Sequence, residues 1–357
     1  MRHVMAFCLM VVATATHAQG TLPAANARVL QQGLIETADA FVLPAYQAQA
    51  EAAAVLVHTL ENYCAENGDL AAAQVAFADT FLAWQRASII AVGPIMDAEG
   101  PMRVQLWPDP KGFSQRAVRL ALRAEDAALL KQGGLKGRSI AMTNLMALEL
   151  LLYDALPVGS YSCDFAIAIA RFQADLAHDL ARAWTAGSTF RADYDTAQDG
   201  NARFRSVDAL IREVLAGAVV YADRLRKLKL QRGIGKKPGD ARAERTEARL
   251  SGAGLQSITV SFLALADLYD VPFGIFDAAA DIGGAMAYLT LAQTANSVAD
   301  GLTWQAQTLA DIAREDGAAA AELRRYADLV LYHETFLKSG FPASVGLVAG
   351  FTAADGD

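Results

Sequence analysis

A chain of 357 residues that is 54% hydrophobic and 20% charged has ample material for a core and is too apolar to stay disordered. Its net charge of -8 excludes a general nucleic-acid binder, which would carry a basic footprint. Abundant alanine, 8% aromatics and only 10 prolines favour packed helices over many short strands, in one large domain or two ordinary ones.

The chain opens with Arg2 and His3, an apolar run from Val4 to Ala15, and the small-x-small triplet Thr16-His17-Ala18 before Gln19. This pattern reads as a signal peptide over residues 1–18 that is removed on export to the periplasm. Cys8 lacks the small-residue context of a lipoprotein signal, and a run of about twelve apolar residues is too short to span a bilayer. No later segment reads as a membrane span. Removal of residues 1–18 leaves Cys64 and Cys163, which have no C-x-x-C spacing and are expected to pair as a disulfide in an oxidising compartment.

Apolar residues at helical spacing then mark a helix from Ala24, a kink at Pro44, and a longer helix to Cys64. Leu70 to Ile90 forms the next helix, which Gly93-Pro94 closes. Residues 101–112, PMRVQLWPDPKG, hold three prolines and must be irregular; Asp109 with Pro110 is expected to cap and open a helix through Gln115 to Ala128. Ile140 to Tyr153 is apolar nearly all round and reads as one central helix, followed by a helix from Asp164 to Trp184. The polar stretch Thr185 to Asn201 reads as a linker between residues 19–185 and 186–357. Further helices are expected over Ser206–Leu230, Leu255–Tyr269, Ala285–Arg314 and Ala318–Lys338, with a basic loop at Gly233–Gly239 and a turn at Ser251–Gly254 between them. The fold class is all-α, two helical-bundle halves in a duplicated four-helix-bundle-like arrangement.

Catalytic side chains are scarce. His58, His178 and His333 are too far apart in sequence to ligate one metal from adjacent turns, and Leu337 replaces the second histidine that a zincin motif beginning at His333-Glu334 would need. Glu149 stands inside the most apolar helix, with Leu145, Met146, Leu152 and Tyr153 one turn away. A buried carboxylate must meet something polar. Two readings are open: a structural pair with Arg86 or Arg103, or the anionic centre of a ligand or metal site between helices. Trp84 and Arg86 at a helix end, and Arg103, Trp107 and Asp109 in the irregular segment, are explained by capping and packing or by the lining of a polar cleft.

Several short motifs occur in a shared order: Phe41-Val42-Leu43-Pro44-Ala45-Tyr46, Trp84-Gln85-Arg86 with Gly93-Pro94, Gln105-Leu106-Trp107-Pro108-Asp109, and Ala147-Leu148-Glu149 with Leu151-Leu152-Tyr153. Glu247-Ala248-Arg249-Leu250-Ser251-Gly252 and Gly350-Phe351 with Asp355-Gly356-Asp357 follow. In this order they resemble the imelysin-like family of exported bacterial proteins. The resemblance implies two helical halves, a periplasmic location and an association with iron uptake. The family's metallopeptidase-like G-x-H-x-x-E motif maps onto Asn144, Met146 and Glu149, so only the glutamate is kept. Methionine is a poor ligand for zinc or ferric iron.

The expected protein is therefore a non-enzymatic periplasmic binder of iron, an iron-bearing species or an iron-uptake partner. Glu149 would be its anionic centre and the one candidate metal ligand, Arg86 and Arg103 its cationic partners, and Trp84, Trp107 and Asp109 its walls. The rivals are a metallopeptidase assembled from distant residues such as His178, His333 and Glu149, and a helical adaptor with a large exposed apolar patch.

Overall fold

The structure, a computed structural model, describes residues 22–283, 287–302 and 307–347. The expected signal peptide and the terminal motif from Gly350 to Asp357 lie outside the described residues. Every regular element among the described residues is helical. Helix α1 (Ala24–Thr37) runs through a π-wound stretch, Ala38–Val42, into α2 (Leu43–Cys64). Helical backbone runs on past Pro44: the π winding just before it, with the Leu43 N–H bonded back to the Ala38 carbonyl, carries the chain into α2 around the N–H that Pro44 lacks. By length and composition alone, Ala24–Cys64 is long and apolar enough to cross a membrane. Its apolar face, including Leu30, Leu34, Phe41, Tyr46, Leu56 and Leu60, is buried in the core.

Helix α3 (Leu70–Ala87) begins at an Asp69 side-chain cap and packs along α2. Helix α4 follows the irregular segment, at Phe113–Ala124. The Asp109 carboxylate caps it as expected, accepting from the Phe113 and Ser114 backbone N–H groups at 2.9 and 2.8 Å. Pro110 does not open the helix, because the left-handed Gly112 (φ 62°) first turns the chain and delays the start to Phe113.

The helix expected over Ile140–Tyr153 is broken in two. Asn144 adopts extended backbone between Ile140–Thr143 and α5 (Leu145–Leu152). Its buried side chain accepts from the Met146 and Ala147 N–H groups at 2.8 and 3.3 Å and donates to the Ile140 carbonyl at 2.7 Å. A side chain that satisfies both new helix ends makes the break cheap. Helix α6 (Tyr161–Trp184) packs against α2 and α5. Cys64 at the end of α2 and Cys163 at the start of α6 form the expected disulfide, Cα atoms 5.8 Å apart across a sequence separation of 99. In the chain-entropy picture a loop of that length contributes up to about 4.7 kcal/mol.

The stretch read as a polar linker carries helix α7 (Thr189–Asp195) and apolar anchors. Phe190 and Tyr194 pack edge-on against Trp184, and Phe190 presses on Gly93, where a Cβ would meet its ring at 2.1 Å. Beyond it, α8 (Val207–Asp223) continues through a second π-wound stretch, Arg224–Leu230. Helix α9 (Gly254–Tyr269) packs on α11 (Ala287–Leu302) and reaches back to α3, while α10 (Ile275–Gly283), absent from the sequence reading, packs on α1. The single helix expected over Ala285–Arg314 appears as α11 and a short helix Leu309–Glu315, with residues 303–306 outside the described set. Helix α12 (Ala318–Thr335) covers α8. One contiguous hydrophobic cluster runs from Leu22 to Leu347 through both halves of the chain.

Candidate functional site

Helix α5 carries Glu149 to the wall of a cleft of about 570 Å³. The opposite wall is the turn after Thr246, which is forced close to α9: a Cβ on Gly254 would meet the Glu247 carbonyl oxygen at 2.4 Å. That turn delivers Ser251, whose N–H and hydroxyl both donate to Glu149 Oε1, at 2.9 and 2.7 Å. Glu149 Oε2 takes no protein hydrogen bond among the described residues, and the side chain lines the cleft. Burial holds this carboxyl above the usual carboxylate range; the Ser251 bonds and Arg249 pull it down, and nearby Glu247 adds to the rise.

Trp107, Asp109 and Met146 line the same cleft, so Glu149 meets two of its expected companions there. Arg232, Arg245 and Arg249 also line it, and among the described residues none of the three has a carboxylate ion-pair partner. Glu244 is the further acid in the lining.

The two expected arginine partners lie elsewhere. Arg86 pairs with Asp267 on α9 and stands over the Phe41 ring at 4.7 Å. Arg103 pairs with Glu99 and donates to the Arg138 carbonyl and Thr143 hydroxyl at 3.0 and 3.2 Å, tying the irregular segment to the chain before α5. Neither lines the Glu149 cleft, and the structural Glu–Arg pair is replaced by the Ser251 bonds. Trp84, almost wholly buried, lines a different cavity.

Between the two cavities lies a buried polar cluster that the sequence reading does not contain. Lys229 Nζ donates to Glu247 Oε2 at 2.8 Å, to Gln85 Oε1 at 2.6 Å and to the Ser257 hydroxyl. Ser257 in turn donates to Glu247 Oε2, and Gln105 Nε2 to Glu247 Oε1, both at 2.6 Å. Burial pushes the Lys229 ammonium below its ordinary range, and Glu247 opposes that shift. Lys229 falls inside the run Arg224–Leu230, whose alternating basic residues look like a solvated face at ordinary α spacing; the π winding shifts their register and turns this lysine inward. Glu247, Gln85 and Gln105 do stand inside the family-like motifs, and that was the available signal.

The residues around Glu149 do not make a closed metal centre. Among the described residues no three His, Cys, Asp or Glu side chains gather as metal ligands, and Met146 occupies the wall where a histidine would be needed. The convergence required by a metallopeptidase is not formed: His333 lies in the core, stacked on Tyr269 at a centroid distance of 5.7 Å, and neither it nor His178 lines the cleft. What the cleft offers chemically is one open carboxylate oxygen facing unpaired guanidinium groups, an arrangement suited to holding an anion-bearing ligand.

The fold matches a solved imelysin-like protein from Psychrobacter arcticum 273-4, with a TM-score of 0.73 and 19% identity over 91% of this chain and 98% of that one. Comparison with curated protein sequences gives no match. The sequence pattern of the imelysin family, peptidase M75, matches residues 42–330. With that match over most of its length, the chain belongs to the imelysin family.

Proposed function

We propose that this protein is an exported, non-enzymatic binding protein of the periplasm, and that the Glu149 cleft holds an anionic chelate of ferric iron as part of iron uptake. The observation that carries the reading is the charge arrangement of the cleft: among the described residues, Arg232, Arg245 and Arg249 have no ion-pair partner and stand around a single buried carboxylate with one oxygen open. Guanidinium groups recognise the carboxylates of a chelator as two-pronged donors. Glu149 Oε2 would occupy a position on iron that the chelator leaves open. Bare ferric ion lacks partners there, because the lining acids Glu149, Asp109 and Glu244 do not gather as ligands among the described residues and Asp109 is occupied by the cap of α4. The apolar run Val4 to Ala15 and the Cys64–Cys163 disulfide support export into an oxidising compartment.

Isothermal titration of the mature chain with ferric citrate tests this reading, with iron-free citrate as the control. Saturable binding of ferric citrate, weakened about tenfold in the double substitution Arg232→Ala and Arg249→Ala, is expected. Equal heats for citrate with and without iron, or binding indifferent to the arginines, would sink it.

A further inference from the structure

The larger cavity, about 640 Å³, is separate from the Glu149 cleft and differs from it in chemistry. One wall is a single face of α8 and its continuation: Glu213, Ala216, Gly217, Val220, Tyr221 and Arg224 recur at intervals of three and four. The facing wall, from the end of α3 to the irregular segment, supplies Trp84, Val92, Met96 and Met102. Its middle is therefore apolar, and Met96, Met102 and Val220 remain 55%, 48% and 47% exposed at the rim. Soluble proteins rarely leave so many large apolar groups around one concavity without an occupant.

The charged groups are sorted by position. At the open end Arg203 is bound to Asp97 at 2.8 Å, and Glu213 stands nearby. At the inner end Lys229 is neutralised by Glu247. Arg224 remains: its guanidinium donates to the Trp107 carbonyl at 3.2 Å and has no carboxylate partner among the described residues. Arg224 lies eleven positions beyond Glu213 along the chain, so the groove runs about 16 Å along the helix and ends on a cation with no ion-pair partner in contact among the described residues. Burial disfavours the charge on that guanidinium, Glu247 offsets part of this from across the cluster, and a ligand anion would supply the direct partner.

We propose that this groove binds an elongated amphipathic carboxylate, its apolar body lying along α8 against Met96, Met102 and Val220 and its carboxylate on Arg224. The proposal is independent of the reading of the Glu149 cleft. Decanoate and decylammonium, equal in chain length and opposite in charge, serve as probes, titrated calorimetrically into the mature chain. Decanoate is expected to bind at one site, about tenfold or more tighter than decylammonium. Arg224→Gln should remove that preference, Ala216→Trp should block the groove and abolish binding, and Glu149→Gln should leave decanoate binding unchanged. Equal affinity for the two probes, absence of saturable decanoate binding, or decanoate binding untouched by Arg224→Gln or Ala216→Trp would overturn the assignment. Should Arg224→Gln fail to fold, the comparison of the two probes on the native chain decides alone.

Discussion

Glu149 has Oε1 occupied by Ser251, and a glutamine can present the same carbonyl oxygen to the same two donors. Because burial already disfavours the charge, Glu149→Gln is expected to change folding stability by less than about 1 kcal/mol, with any shift towards greater stability at neutral pH. Ferric citrate binding should drop about tenfold, since the open oxygen becomes an amide nitrogen that cannot ligate iron. Urea unfolding and titration on one preparation check both halves. A strongly destabilised variant that still binds normally would make Glu149 a structural residue.

His333 responds to pH in the other direction. It is fully buried, neither ring nitrogen has a hydrogen-bond partner among the described residues, and burial pushes it from 6.5 down to about 4. The unfolded chain takes up this proton as pH falls through about 6.5, whereas the folded chain resists until about 4, so stability declines across that window. A shift of this size corresponds to at most about 3 to 4 kcal/mol. His333→Phe keeps the stack on Tyr269 and loses no hydrogen bond, so its urea midpoint should fall less steeply between these pH values than that of the native chain. Parallel slopes would contradict this assignment.

At the scale of the element, the break at Asn144 decides where Glu149 points. The expectation of one helix from Ile140 to Tyr153 followed from an apolar pattern that continues across the break, and periodicity alone does not register a side chain that caps from inside. Asn144→Ala removes the cap of α5 and leaves the Met146 and Ala147 N–H groups without an acceptor. It is expected to cost about 1 to 2 kcal/mol in denaturant unfolding. A neutral effect would show that tertiary packing alone fixes the start of α5. Long amphipathic segments such as α3, α6 and α12 were legible because their patterns report burial directly. The packing of 185–201 was not, since two aromatic residues spaced four apart anchor an otherwise polar stretch. Glu149, Trp107 and Asp109 were found from sequence and do share a cleft. The arginines that face them were not, because Arg232 on the short helix Gln231–Ile234 and Arg245 and Arg249 beyond it lie about eighty to a hundred residues further along the chain, and nothing in local spacing marks that approach.

Across the whole molecule, Gln85 near the end of α3 and Gln105 in the irregular segment meet Lys229, Glu247 and Ser257 from the C-terminal half of the chain in the buried cluster. Such a joint is sensitive to the loss of one partner. Lys229→Met strands the Glu247 carboxylate, 1% exposed, and is expected to destabilise the fold by about 3 to 5 kcal/mol. Adding Glu247→Gln should restore most of that loss in the same denaturation measurement. If the double variant is no better than the single, the cluster contributes through lysine packing and not through its charge.

The cluster also holds the Glu247 turn against α9, and that turn presents Ser251 to Glu149 and carries Arg249 into the cleft. The most direct measurement is therefore an iron-edge anomalous difference map from crystals of the protein soaked in ferric citrate. A single strong peak in the cleft between Glu149 and Arg232 or Arg249 is the expected result. A soaked crystal with no iron peak in that cleft, or with iron held only at other sites, would contradict the assignment of this cleft to an iron chelate.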